Sequence, residues 1–194
     1  GVAHKERLKQ VRAMVDVLTL SATPIPRTFY MSMVGTRDMS LLQTPPQERM
    51  AIETVIVRDG DAVIRNAVRN ELAREGQVYF LHNRVVTIEL MRHRLERLLP
   101  EVRIAVAHGQ QRSALLATTM QQFERGEHDL LLCTTIIESG LDIPRANTII
   151  IDRADRFGLA DLYQLRGRVG RSSRRGFAYL LLPPQGVMDE EARQ

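Results

Sequence analysis

A chain of 194 residues, 44% of them hydrophobic and 26% charged, has the length and balance to bury a sizeable core, which excludes a disordered or low-complexity polypeptide. No apolar run approaches the roughly 18 residues that a membrane-crossing helix needs, and no secretory leader is visible, so a cytoplasmic location is expected. The formal charge is only +4 although the pI is about 9.7, and of 27 basic residues only Lys5 and Lys9 are lysines; arginine suits bidentate phosphate contacts, and a GC-rich coding bias gives the same composition.

In chain order, GVAHKERLKQVRAMV reads as a helix with Leu8, Val11, Met14 and Val15 on one stripe. It has no start signal before it, so the chain is expected to begin inside a larger protein. VDVLTLSAT reads as a buried strand, and PIPRTFYMSMV as a helix with Pro26 in its first turn. GTRDMSLLQTPPQERM has poor periodicity and a Pro45-Pro46 pair, and is read as a linker between lobes. The domain expectation is therefore a lobe remnant plus linker over 1–45, a complete second lobe over 46–185, and the start of a further segment over 186–194.

From Ala51 the pattern becomes regular. Strands are predicted at 51–57, 77–82, 103–108, 129–134, 147–151 and 177–182. Helices are predicted at 61–74, 86–99, 113–125 and 159–169. Apolar strand runs alternating with amphipathic helices predict an α/β fold, a three-layer, doubly wound and mainly parallel sheet. The single cysteine, Cys133, lies in the apolar run DLLLCTT and is expected to be a buried, inert thiol.

Ligands of doubly wound sheets collect at the loops after the strand C-termini. Those loops hold Asn83, then His108 and Gly109, then Thr134 and Thr135, then Gly140 and Asp142, and finally Asp152. Hydroxyls, amides and glycines at successive strand ends form a polar rim able to hold a sugar-phosphate backbone. A plainer account exists for each. His108 can cap the next helix or satisfy a carbonyl; the threonines can bond their own backbone; Asp142, before Ile143-Pro144, can be a turn residue.

The stretch LADLYQLRGRVGR carries the densest signal. As a helix it places Gln164, Arg168 and Arg171 on one face and Leu162, Leu165 and Val169 on another. Gly167 and Gly170 each cost about 1 kcal/mol in a helix interior, which points to close approach of another backbone or of a phosphate. The alternative is a solvated basic helix end favoured by the dipole.

The pattern Q-x-x-G-R-x-G-R over Gln164–Arg171, preceded by FERGEHDLLLCTTIIESGLDIP, resembles the second motor lobe of superfamily 2 helicases and translocases. Thr134–Asp142 is similar to the fifth motif of that family, and Ser21–Thr23 (SAT) to the third. LTLSATPIPRT, TTIIESGLDIPRANTIII and RADRFGLADLYQLRGRVGR narrow the resemblance to the double-stranded DNA translocases, the group of the bacterial transcription-repair coupling factors and RecG.

The resemblance implies a RecA-like lobe of the P-loop NTPase class, with ATP and Mg held between two such lobes in the full-length protein. It implies that Arg168 and Arg171 act as arginine fingers, that Gln164, Gly140 and Asp142 lie near the nucleotide, and that Asn83, His108, Gly109, Thr134 and Thr135 face double-stranded DNA. Ser21 and Thr23 would couple the lobes. RNA polymerase and excision-repair proteins are the partners implied, through regions outside this chain. A G-x-x-x-x-G-K-[ST] loop needs a lysine, none follows Lys9, and neither Lys5 nor Lys9 has the glycines. The chain alone is therefore expected to hold no cofactor and no metal, and to hydrolyse no ATP. Residues 1 to about 40 would normally pack on the first lobe, so without it the strand VDVLTL is expected to be frayed, repacked or paired with another molecule. The alternatives are a RecG-type or RNA-helicase lobe, and a non-catalytic nucleic-acid-binding module. No G-x-G-x-x-G follows a strand, which argues against a dinucleotide oxidoreductase.

Overall fold

The computed structural model describes residues 40, 50–134, 143–170 and 174–184. The chain divides into two compact units, 1–43 and 44–194, and every element described below belongs to the second. The two helices, the strand and the SAT triplet expected before residue 35 lie outside the described residues.

Among the described residues the elements are β1 (Glu53–Arg58), α1 (Asp61–Leu72), β2 (Gln77–Leu81), α2 (Ile88–Leu98), β3 (Ile104–Ala107), α3 (Ser113–Glu124), β4 (Leu130–Cys133), β5 (Ala146–Ile151), α4 (Leu159–Arg166) and β6 (Phe177–Leu182). Single 3-10 turns at Val85–Thr87 and Ala154–Arg156 precede α2 and α4. The strands form one sheet in the order β1-β6-β5-β2-β4-β3, and every pairing is parallel. This is the expected α/β sheet, with β2 and β5 side by side near its centre.

The period-2 alternation of the strands divides the core into two layers. Tyr79, Leu81, Leu131, Cys133, Ile149 and Ile151 face one side with Met120 and Phe123 of α3 and Leu165 of α4. Val78, Phe80, Leu130, Leu132 and Ile150 face the other with Ile64 and Val68 of α1 and Ile88, Met91 and Leu95 of α2. Two helices thus cover each face. β2, β4 and β5 are buried at every position, which is why Val78–Leu81, Leu130–Cys133 and Ile149–Ile151 are continuous apolar runs rather than alternating ones. Cys133 is 1% exposed, and burial pushes its thiol far above the usual range, so it is the inert core group expected.

Helix ends follow local chemistry. Asp61 and Glu89 stand in the first turns of α1 and α2 and Arg69 and Arg97 in their last, each sign matching the helix dipole. Arg94 of α2 reaches back to the start of α1, donating to Asp59 Oδ2 at 2.9 Å and Asp61 Oδ1 at 2.7 Å. These hydrogen bonds raise the Arg94 pKa despite burial. They tie the two helices of one face together.

One boundary departs from expectation. The apolar spacing predicts a last helix running to Val169, but regular α-helix stops at Arg166 and Gly167 is its C-cap, with φ −66° and ψ −5°. Arg168 N and Val169 N still donate to Leu165 O and Arg166 O, at 3.0 and 3.4 Å. The turn therefore continues for one step before Gly170 reverses it at φ +67°. Val169 is fully buried and Leu165 8% exposed, so the apolar stripe lies where expected although the helix is shorter.

Candidate functional site

The turns that leave β2 and β5 meet at the C-terminal edge of the sheet because those strands are neighbours. There an open pocket is lined by Asn83, Arg156, Phe157, Asp161, Gln164, Leu165 and Arg168. A second pocket adjoins it, lined by His82, Asn83, Arg84, Asp152, Arg153, Arg156 and Phe157. Asn83, Arg156 and Phe157 belong to both walls.

Arg168 is partly exposed, and among the described residues no hydrogen bond or ion pair engages its guanidinium. A guanidinium that folding leaves uncommitted on an open wall can meet an incoming anion without breaking a bond within its own domain. Gln164 shares the wall and is exposed. The pairing expected of Gln164 and Arg168 is therefore present, although Arg168 stands one turn beyond the regular helix. Asn83 is exposed on the same pocket. Arg171, Thr135, Gly140, Asp142, Ser21 and Thr23 lie outside the described residues.

His108, Gly109 and Thr134 stand at the ends of β3 and β4 and belong to neither pocket wall. His108 N donates to Gln111 Oε1 at 3.3 Å and His108 O accepts from Gln111 N at 3.0 Å. Both bonds are made by the His108 backbone and the N-cap of α3 is Arg112, so the imidazole does not cap the helix; its Nδ1 is buried and has no partner among the described residues. Gly109 is exposed. Thr134 is 6% exposed, and its backbone N–H donates to Ala107 O at 3.3 Å.

Residues to which the sequence assigns no individual role complete the site. His82 is 8% and Asp152 7% exposed; His82 Nδ1 lies 2.6 Å from Asp152 Oδ2, and its Nε2 lies 2.7 Å from Thr87 Oγ1. A carboxylate only accepts, so Nδ1–H donates to Asp152. Arg153, the next residue, is left-handed at φ +51°, a strained region for a residue with a side chain. Its guanidinium clasps Asp155 at 2.7 Å, and the Asp155 side chain is 1% exposed. The Arg153 hydrogen bonds hold the Asp155 carboxyl below the usual range, outweighing its desolvation. The only sequence signal for these groups is their place at the ends of two apolar runs; that the runs are adjacent is not readable from it.

Among the described residues no group of three or more His, Cys, Asp or Glu could hold a metal ion, and no helix is long and apolar enough to cross a membrane.

Residues 61–173 match the family described as the helicase conserved C-terminal domain. Over its full length the chain is 53% identical to the transcription-repair-coupling factor of Staphylococcus epidermidis, spanning 17% of that protein. It is 55% identical over 192 residues to that of Mycobacterium bovis, spanning 16% of it. The chain thus spans about a sixth of the length of these curated relatives. Its structure is similar to RecG bound to a three-way DNA junction, with a TM-score of 0.76 and 34% identity, over 93% of this chain and 24% of that one. A likeness in fold alone extends to domain 2 of the DEAD-box helicase Mss116p bound to an RNA duplex, with a TM-score of 0.55 and 19% identity over 69% and 55% of the two chains. With the family pattern covering most of the sheet and the whole pocket wall, this chain belongs to the helicase conserved C-terminal domain family and has its RecA-like fold.

Proposed function

We propose that the chain is the second motor lobe of an ATP-driven double-stranded DNA translocase of the transcription-repair-coupling type. The observation that carries the reading is the uncommitted Arg168 guanidinium beside Gln164 on an open wall. In this reading Arg168 and Arg171 reach across to a nucleotide held by a first lobe and stabilise charge on the transferring phosphoryl group. Gln164, Gly140 and Asp142 face the same nucleotide. The residues present fit one side of such a site, a phosphate-facing wall of guanidinium and amide. ATP and Mg, when bound, supply the phosphoryl group and its counter-charge, and the chain's own lack of a G-x-x-x-x-G-K-[ST] loop assigns their main cradle to another lobe.

Asn83, His108, Gly109, Thr134 and Thr135 contact the DNA backbone, and Ser21 and Thr23 couple the lobes. Residues 1–45 belong to the first lobe and linker, 46–185 to the second lobe, and 186–194 to the start of a further segment. Stepping along DNA displaces a stalled RNA polymerase and brings in excision-repair proteins through regions beyond this chain, in the cytoplasm. The similarity to RecG supports a second reading, a lobe acting at DNA junctions. The two differ in whether the intact protein displaces a stalled polymerase.

The test mixes this chain with a polypeptide bearing the phosphate-binding lobe and measures DNA-stimulated ATP hydrolysis. Turnover is expected only in the mixture, and Arg171→Ala is expected to lower it about 10³-fold or more with folding intact. Robust DNA-stimulated turnover by this chain alone, or an Arg171→Ala mixture as active as the unaltered one, would overturn the reading.

A further inference from the structure

The turn after β2 carries Asn83 and Arg84; the turn after β5 leads through Arg156 and Phe157 into α4 and Arg168. Both line the same pair of pockets. They are 70 residues apart in sequence, and a chain of three polar side chains joins them, His82 and Asp152 buried and Thr87 half-buried. Asp152, at the first position after β5, accepts from His82 Nδ1 at 2.6 Å; His82, at the first position after β2, meets Thr87 Oγ1 through Nε2 at 2.7 Å. Thr87 closes the Val85–Thr87 turn that begins α2. Its backbone N–H donates to Arg84 O at 3.1 Å, and its hydroxyl lies 3.4 Å from the same carbonyl.

The sheet holds the backbones of His82 and Asp152. His82 N donates to Cys133 O at 2.8 Å and Asp152 N to Leu81 O at 2.9 Å, so the two residues extend the sheet ladder beyond the regular strands. An apolar core needs no such polar chain, and a half-satisfied one is costly, whereas both His82 ring nitrogens have partners here. Simple stability is served as well by apolar side chains. What the polar chain adds is direction. The imidazole is held at both nitrogens, so a shift of the β5–α4 turn carries the imidazole with it, and through Thr87 the Arg84 carbonyl and the start of α2.

We infer that Asp152, His82 and Thr87 form a positioning relay that couples the Asn83–Arg84 turn to the turn that sets α4 and Arg168. The inference rests on the motor-lobe reading, in which the first turn faces nucleic acid and the second faces nucleotide. Thr87 lines neither pocket; the three residues transmit the position of one wall to the other.

The experiment uses the protein that joins this chain to an ATP-binding lobe, with linear double-stranded DNA as the probe. Thr87→Val keeps the side-chain shape and removes the hydroxyl. It is expected to leave ATP hydrolysis without DNA, and the KM for ATP, unchanged, while the DNA concentration for half-maximal stimulation rises about tenfold, the scale of one lost hydrogen bond. Thr87→Ser is expected to restore the DNA response. Arg168→Ala runs in parallel. If it keeps full turnover, the motor reading fails whatever Thr87 does. If it is inactive and Thr87→Val responds to DNA as the unaltered protein does, the relay alone is overturned.

A second measurement needs no turnover. In the nuclear magnetic resonance spectrum of this chain, His82 is expected to show a slowly exchanging ring N–H that disappears in Asp152→Ala. A rapidly exchanging His82 ring proton in the unaltered chain would refute the relay independently.

Discussion

Gly176 lies so close to Gly170 that a Cβ added to it would stand 2.8 Å from the Gly170 Cα and 2.9 Å from its nitrogen. The two backbones meet where the chain leaves the arginine-bearing turn and enters β6, and Gly170 itself is left-handed at φ +67°. The close approach inferred from the glycines is thus, at Gly170, to the protein's own backbone.

Gly176→Ala is accordingly expected to destabilise the fold by about 1–3 kcal/mol, because the added methyl meets backbone that cannot swing away. Gly170→Ala is expected to cost about 1–2 kcal/mol through its left-handed conformation. The nearest atom to its new methyl is Ile52 Cγ1 at 2.9 Å, a side chain that can give way. Gly167 has ordinary helical angles, and its Ala variant is expected to be the mildest of the three. Urea midpoints at constant m-value would rank them.

Arg168→Ala is expected to change thermal stability by less than about 0.5 kcal/mol, since no described group depends on its guanidinium. The same variant is expected to lower ATP turnover by about 10³-fold or more once the first lobe is supplied. A large fall in melting temperature would mean that Arg168 is a structural residue.

Glu71 is 1% exposed at the end of α1. It accepts from Arg74 and from Thr148 Oγ1 at 2.5 Å. Thr148→Val removes that donor from a buried carboxylate whose Oε1 already lacks a partner among the described residues, and is expected to cost about 1–3 kcal/mol. Thr148→Ser, which keeps the hydroxyl, should recover most of the loss in chemical denaturation.

The Arg153–Asp155 pair gives a pH dependence of definite sign. The folded Asp155 carboxyl is held below its ordinary value of 3.8, so its contribution is complete above that value and is lost as pH falls through the lower folded value. With Arg153 partly exposed, the contribution is expected to be about 1 kcal/mol or less. Acid unfolding of Arg153→Ala should therefore differ from that of the unaltered chain near neutrality but converge with it at the lowest pH. An unchanged gap throughout would place the effect elsewhere, in the strained backbone at Arg153.

The amino-acid order alone determined which segments are strands and helices from residue 51 onward, because apolar periodicity is a local property. β6 falls at its expected bounds, and β2, β4 and β5 lie within a residue of theirs. It also determined the arginine-bearing motif and hence the family. Tertiary structure decided the rest: that β5 pairs with β2 rather than with its sequence neighbour β4, and that a capping glycine ends α4 before Arg168. It also decided that His82 and Asp152, each a polar residue at the end of an apolar run, become hydrogen-bonded partners. Contacts across 70 residues depend on strand order, and strand order is set by packing of both sheet faces at once, which no local pattern encodes.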